Sequence, residues 1–182
     1  MNDEEIITEA AQLITTGDFI AAMAVFERHI EANPDDPAGY HGWAEAALFE
    51  IQENGNLDES GKDRINEGMV TAYLRRAAGL APDNADYSAA YASALVEFDR
   101  IPMAVRQLHK LVELGKASDE VDVSIHLYEA ARGLIEAIVL KTNFDRSAPI
   151  ARQYIRDAVE FALLGLGFSS PEEAIEYLAL EE

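Results

Sequence analysis

The residues best placed to do chemistry lie in NGNLDESGKDRINEG, residues 54–68. Asn56, Asp58 and Ser60 alternate, Gly61 follows, and Glu67 closes a twelve-residue window. This is the skeleton of an EF-hand-type calcium loop, which needs oxygen ligands at alternating positions, a glycine at the sharp turn and a bidentate acid at the end. Three features oppose that reading. The first ligand is Asn rather than Asp, and Asp63 stands where an apolar residue normally anchors such a loop. Ser60 with Asp63 also reads as a helix N-terminus, because serine caps and acids favour the first turn. No second loop of this kind is present to pair with it. Asn56, Asp58, Ser60 and Glu67 are therefore a candidate calcium set set against a simpler reading with no metal: a polar connection between two helices.

The remaining chemistry-bearing residues form no known catalytic pattern. His29, His41, His109 and His126 lack zinc-ligand spacing, and there is no cysteine. No GxSxG, Walker loop or HExxH occurs. Pairs such as Glu4-Glu5 and Asp35-Asp36 are read as solvated turns and first turns of helices, because 34 acidic residues bring close pairs by chance. The chain is thus expected to be non-enzymatic and to carry no cofactor.

Charge narrows the partners. The formal net charge is -20, with 34 acidic against 14 basic residues. Such a surface repels phosphate backbones and anionic membranes, so neither nucleic acid nor membrane is an expected partner. A basic or amphipathic protein segment is. Solubility alone, or a salty habitat, would give the same bias. A hydrophobic fraction of 49% in 182 residues fits one folded domain, 1–182. MNDEEIITEA has no basic region leading into an apolar run, and no stretch of about 18 apolar residues occurs. The expected location is cytoplasmic.

The elements that position these residues repeat. In TGDFIAAMAVFERHIEANPDD, Ala22, Phe26 and His29 share a helical face, and Pro34 stops the helix. Val70, Leu74, Ala77 and Pro82 restate the pattern 48 residues on, and Ala104, Leu108 and Leu111 restate it 34 later, with Gly115-Lys116 ending the helix. The preceding helices keep register through Ala10, Ala44 and Ala92, through Leu13, Ala47 and Leu95, and through Ile14, Leu48 and Val96. Their steps of 34 and 48 put an insertion of 14 residues inside the second unit, where the opening stretch lies. It is expected to lengthen both helices of that unit, with NGNLD as the turn between them.

A unit of 34 residues built as helix, turn, helix resembles the tetratricopeptide repeat (TPR). Ala10, Gly17-Asp18-Phe19, Ala22, Phe26 and Pro34 carry the likeness in the first unit. Tyr40, Trp43, Ala44, Ala77 and Pro82 carry it in the second, and Tyr91, Ala92, Ala104 and Leu108 in the third. Glu9 and His29 depart from the usual apolar residue and alanine, and His29 is expected to pack inside in alanine's place. The alanines mark close helix crossings, and neighbouring units stack because no single unit can bury its own face.

The units run over about 3–36, 37–84 and 85–116. A divergent unit covers 119–166, with Ser118 or Asp119 capping a helix to about Leu140, and Ser147 and Pro149 opening the next. Ser170, Pro171 and Glu173 start a capping helix over 171–180. The expected fold is all-α: a right-handed α-α superhelical TPR-like solenoid of about nine helices.

The resemblance implies that the first helix of each unit lines a concave groove for a peptide. By register the lining is Ile7, Ala11 and Ile14, then His41, Glu45, Leu48 and Phe49, then Ala89, Ser93 and Val96, with Asp86 and Glu97 at its margins. This is apolar centrally and acidic at the sides, suited to a basic or amphipathic protein segment. His41 is expected to be partly exposed there. Co-chaperones of this family that clamp carboxylate tails use basic residues where this chain has Ile7, Ala11, Gly42, Asp86 and Ala90, so that role is not expected. The expected function is a non-catalytic interaction scaffold or adaptor. Two alternatives are a dedicated chaperone for a secreted or assembly-prone client, and a self-associating module forming a homo-oligomer through its last helix or its long hairpin.

Overall fold

The computed structural model describes residues 3–117, 123–142 and 156. Seven helices follow one another: α1 Asp3–Thr15, α2 Phe19–Ala32, α3 Pro37–Asn54, α4 Glu67–Leu80, α5 Ala85–Glu97, α6 Ile101–Ala117 and α7 Ser124–Thr142. Among the described residues the protein is all-α; the only extended feature there is an isolated bridge, Leu57 to Asp63. No helix of the described residues is long and apolar enough to cross a membrane.

The punctuating residues explain the helix ends. At the end of α1 the Asp18 amide reaches back to the Leu13 carbonyl at 2.9 Å and the Gly17 amide to Ile14 at 3.0 Å. This is a Schellman closure with Gly17 in the left-handed region, φ 78°. The same closure ends α5, where the Arg100 amide bonds to Leu95 at 2.7 Å and the Asp99 amide to Val96 at 3.0 Å. There Asp99 takes φ 59° without glycine's freedom. Asp18 caps α2 by accepting from the Ala21 amide at 3.2 Å. Asp36 caps α3 by accepting from the Ala38 amide at 3.0 Å, and Pro37 needs no partner in the first turn.

The chain divides into two compact units between Tyr87 and Ser88, inside α5. In the first, α1 packs on α2, α2 on α3 and α3 on α4. Ala10, Ala22 and Ala44 are fully buried, and so are Val70 and Ala77. A Cβ added to Gly42 would stand 2.2 Å from Cζ of Phe26, so the ring lies directly against the α3 backbone. In the second unit α6 packs on α7 around Ala104, Leu108, Leu111, Leu127 and Leu134. Burying a leucine of this kind stabilises by roughly 2 kcal/mol. Ile14, Leu48 and Val96, equivalent by register, are all half-buried.

His29 packs inside α2 as expected, with no exposed surface. Its Nε2 lies 2.6 Å from Oδ2 of Asp36, the α3 cap, and Nδ1 lies 3.4 Å from the Asn33 amide group. The ring thus bridges the two side chains, with Nε2 toward the carboxylate and Nδ1 toward the amide.

The insertion corrects the sequence reading in part. α3 is lengthened, with 18 residues against 13 in α1 and in α5. α4 is not, since it has 14 residues like α2, and Ser60 does not cap it. Asn66 is the cap, its side chain accepting from the Met69 amide at 3.2 Å. Residues 55–66 form an ordered loop instead of further helix. Both amide atoms of Asn56 are taken by the backbone of Ile65, at 2.8 and 2.9 Å. Ile65 is buried and Gly61 turns at φ 77°. These contacts hold the segment in a closed turn before helix can begin.

Two helix boundaries also shift. α6 continues to Ala117, and Gly115 serves packing, since a Cβ there would lie 2.6 Å from Cγ2 of Val123. α7 starts at Ser124, later than a cap at Ser118 or Asp119 implies, with the Val123 carbonyl accepting from the Leu127 amide at 3.0 Å. Ser118, Asp119 and the helices expected over 147–166 and 171–180 lie outside the described residues, except for Arg156, which is helical.

Candidate functional site

The expected lining residues fall in both units, and each unit is described on its own. In the first, Ile7 and Ala11 are exposed on α1 and Ile14 is half-buried. On α3, Glu45 is exposed, and His41, Leu48 and Phe49 are half-buried. Phe49 is committed to packing: its ring stacks on that of Phe19, with centroids 5.7 Å apart.

His41, Glu45 and Asp86 converge. The His41 ring lies 5.0 Å from the ring of Tyr87 at 49°. Burial lowers the His41 pKa below its ordinary 6.5, opposed by the nearby carboxylates of Glu45 and then Asp86. Burial also raises the Tyr87 phenol, helped by Asp36 and Asp86. At neutral pH this corner therefore presents two carboxylates beside two uncharged rings. Tyr87 was not among the expected lining residues, although its place next to Asp86 in the first turn of α5 is a usable signal.

In the second unit Ala89 is buried and Ser93 and Glu97 are exposed. Ser93, Val96 and Glu97 of α5 line one side of a cleft of about 430 Å³, and Glu129, Gly133 and Ala137 of α7 line the other. Where the helices approach, a Cβ added to Gly133 would meet Cγ1 of Val96 at 3.3 Å. The α7 side was missed in the sequence. Its only signal is that Glu129, Gly133 and Ala137 recur every fourth residue, so that they share a helical stripe.

The candidate calcium residues have other work. Oδ1 of Asp58 accepts from the amides of Ser60 and Lys62, at 2.8 and 3.0 Å, and from the Ser60 hydroxyl at 2.6 Å. Those bonds hold the Asp58 carboxyl below its usual pKa. Asn56 is engaged with Ile65, and Glu67 stands in the first turn of α4. Among the described residues no group of three or more His, Asp or Glu side chains is placed to hold a metal ion. The buried Glu50 accepts from Arg64 at 2.6 Å and from Asn54 at 2.8 Å, fastening the loop to α3.

No family model matches this chain, and comparison with curated proteins gives no match.

Proposed function

We propose that this protein is a non-catalytic scaffold whose helix pairs form a TPR-like right-handed solenoid and whose first helices bind a segment of a protein partner. The observation that carries the reading is the α5–α7 cleft. It is open, it is of a size that accepts side chains rather than a domain, and it is lined by the α5 residues that the repeat register assigns to the binding face. The α3 face, with half-buried His41 and Leu48 beside the exposed Glu45, supports it from the first unit. A scaffold recognising an extended or helical segment needs such faces and no reacting groups.

Site-specific photocross-linking tests the proposal. A cross-linker at Ser93 and another at Glu45 are expected to capture the same protein from the native source, and one at Glu113, exposed on α6, is not. Leu48→Asp is expected to remove capture at Glu45 with helicity unchanged by circular dichroism. Equal capture at all three positions would defeat the proposal.

A further inference from the structure

Asn54 ends α3 and Gly55 follows it. No other asparagine in the sequence precedes a glycine. The chemistry open to such a pair is intramolecular. The Gly55 nitrogen attacks Cγ of Asn54, and a residue without a side chain leaves that approach clear. The helix end adds a second condition. α2 and α4 close with the cap amide bonded four residues back, Asn33 to His29 at 2.8 Å and Ala81 to Ala77 at 3.1 Å. α3 has no such bond. Gly55 leaves the helix at φ 71° and ψ 160°, and its amide meets no acceptor among the described residues. Asn54 and Gly55 are both exposed.

The other described asparagines are held differently. Asn33 precedes a proline, whose nitrogen carries no proton. Asn56 gives both amide atoms to Ile65, and Asn66 and Asn84 accept from the Met69 and Tyr87 amides. The Asn54 side chain, by contrast, does a job that deamidation would undo. Its Nδ2 donates to Oε2 of the buried Glu50 at 2.8 Å, while Oε1 of Glu50 accepts from Arg64 at 2.6 Å. Exchanging the amide for a carboxylate replaces that donor by a like charge beside an enclosed acid. It also places a negative charge at the negative end of α3, whose last turn holds no basic residue.

We infer that Asn54 is a self-modifying site, which deamidates in the folded protein and thereby loosens residues 55–66 from α3. The Gly55 nitrogen bonds to Cγ, the Cγ–Nδ2 bond breaks, and ammonia leaves with the Gly55 proton. Water then opens the succinimide at either carbonyl and gives aspartate or isoaspartate. Asparagine and water thus become acid and ammonia, with no oxidant or further reactant.

The test is to age the full chain at mildly alkaline pH in ¹⁸O-labelled water, folded and in urea. Mass spectrometry of its peptides then locates the heavy oxygen and resolves isoaspartate from aspartate. In the folded chain Asn54 is expected to convert well ahead of Asn56, Asn66 and Asn84. Amide exchange in residues 57–64 should quicken about tenfold after ageing, the factor for losing one hydrogen bond to a charged group. Asn54→Asp should show the same quickening without ageing, with an unchanged helical spectrum. Aged and fresh Asn54→Gln should exchange alike, because the longer side chain closes its ring far more slowly.

The outcomes separate the site from its effect. Conversion of Asn54 in urea but not in the folded chain would overturn the site, as would another described asparagine converting first. If Asn54 converts but exchange in 57–64 is unaltered, in the aged chain and in Asn54→Asp alike, the release of the loop is overturned and the site stands.

Discussion

Two connections in the first unit solve one problem at different lengths. Between α2 and α3 the chain needs only residues 33–36; between α3 and α4 it uses residues 55–66. Each is fastened by a buried polar group that reaches a partner across the turn. In the short connection it is His29, fully enclosed, holding Asp36. In the long one it is Glu50, nearly enclosed, holding Arg64, whose side chain is 36% exposed. The short turn is gripped again by the Tyr40 hydroxyl and more loosely by Arg76, both donating to the Pro34 carbonyl. The long loop relies on its own contacts: the Asn56–Ile65 pairing, the Asp58 turn and the Ile65 side chain. A short turn is thus integrated with its helices, whereas a long one is an accessory closed on itself and moored at one buried acid.

That contrast sets an order of effects. His29→Ala should be the most damaging, since it leaves Oδ2 of Asp36 without its imidazole partner and opens a void beside Gly39. A loss of about 3 kcal/mol in denaturant unfolding is expected. Ile65→Ala should cost about 2 kcal/mol. Arg64→Ala should cost about 1 kcal/mol, because the arginine is partly solvated and Asn54 still serves Glu50. The comparison breaks if Arg64→Ala costs as much as His29→Ala. It sharpens if amide exchange after Arg64→Ala quickens in residues 57–64 and not in α2.

The true start of α4 is checked by its cap. Asn66→Ala should cost about 1 kcal/mol, while Ser60→Ala should cost only a few tenths, since Ser60 begins no helix. Equal costs would restore the longer α4 that the sequence implied.

The smallest effect concerns His41. His41 has its folded pKa lowered by burial, so between that value and its ordinary 6.5 the unfolded chain binds more protons. Its contribution therefore falls as pH drops through 6.5 and recovers on return to neutral. In thermal melts between pH 5 and 7.5, His41→Gln should flatten this part of the profile. An unaltered profile would place the sensitivity elsewhere.

Much of the helical frame was legible in the sequence, and the reasons are local. Asp36-Pro37 is a cap followed by a residue that tolerates a missing partner. Gly17 supplies a left-handed residue after an amphipathic run. Ala10, Ala44 and Ala92 repeat where bulk cannot fit, and all are buried. The loop was less legible because local rules made Ser60 with Asp63 a helix start and nothing nearby in sequence opposed it. The Asn56–Ile65 pairing and the Glu50–Arg64 bridge, between residues distant in sequence, decided it. The α5 wall of the cleft followed from periodicity. The α7 wall did not, because small residues within a broadly apolar helix leave no contrast between its faces.

The clasp made by Asn56 has a practical meaning. One side chain closes the base of the loop by occupying both backbone groups of Ile65, so the segment from Leu57 to Asp63 answers mainly to itself. Foreign sequence could be spliced there, as a tag or an epitope, and the host would register little more than the change in its hydrodynamic radius.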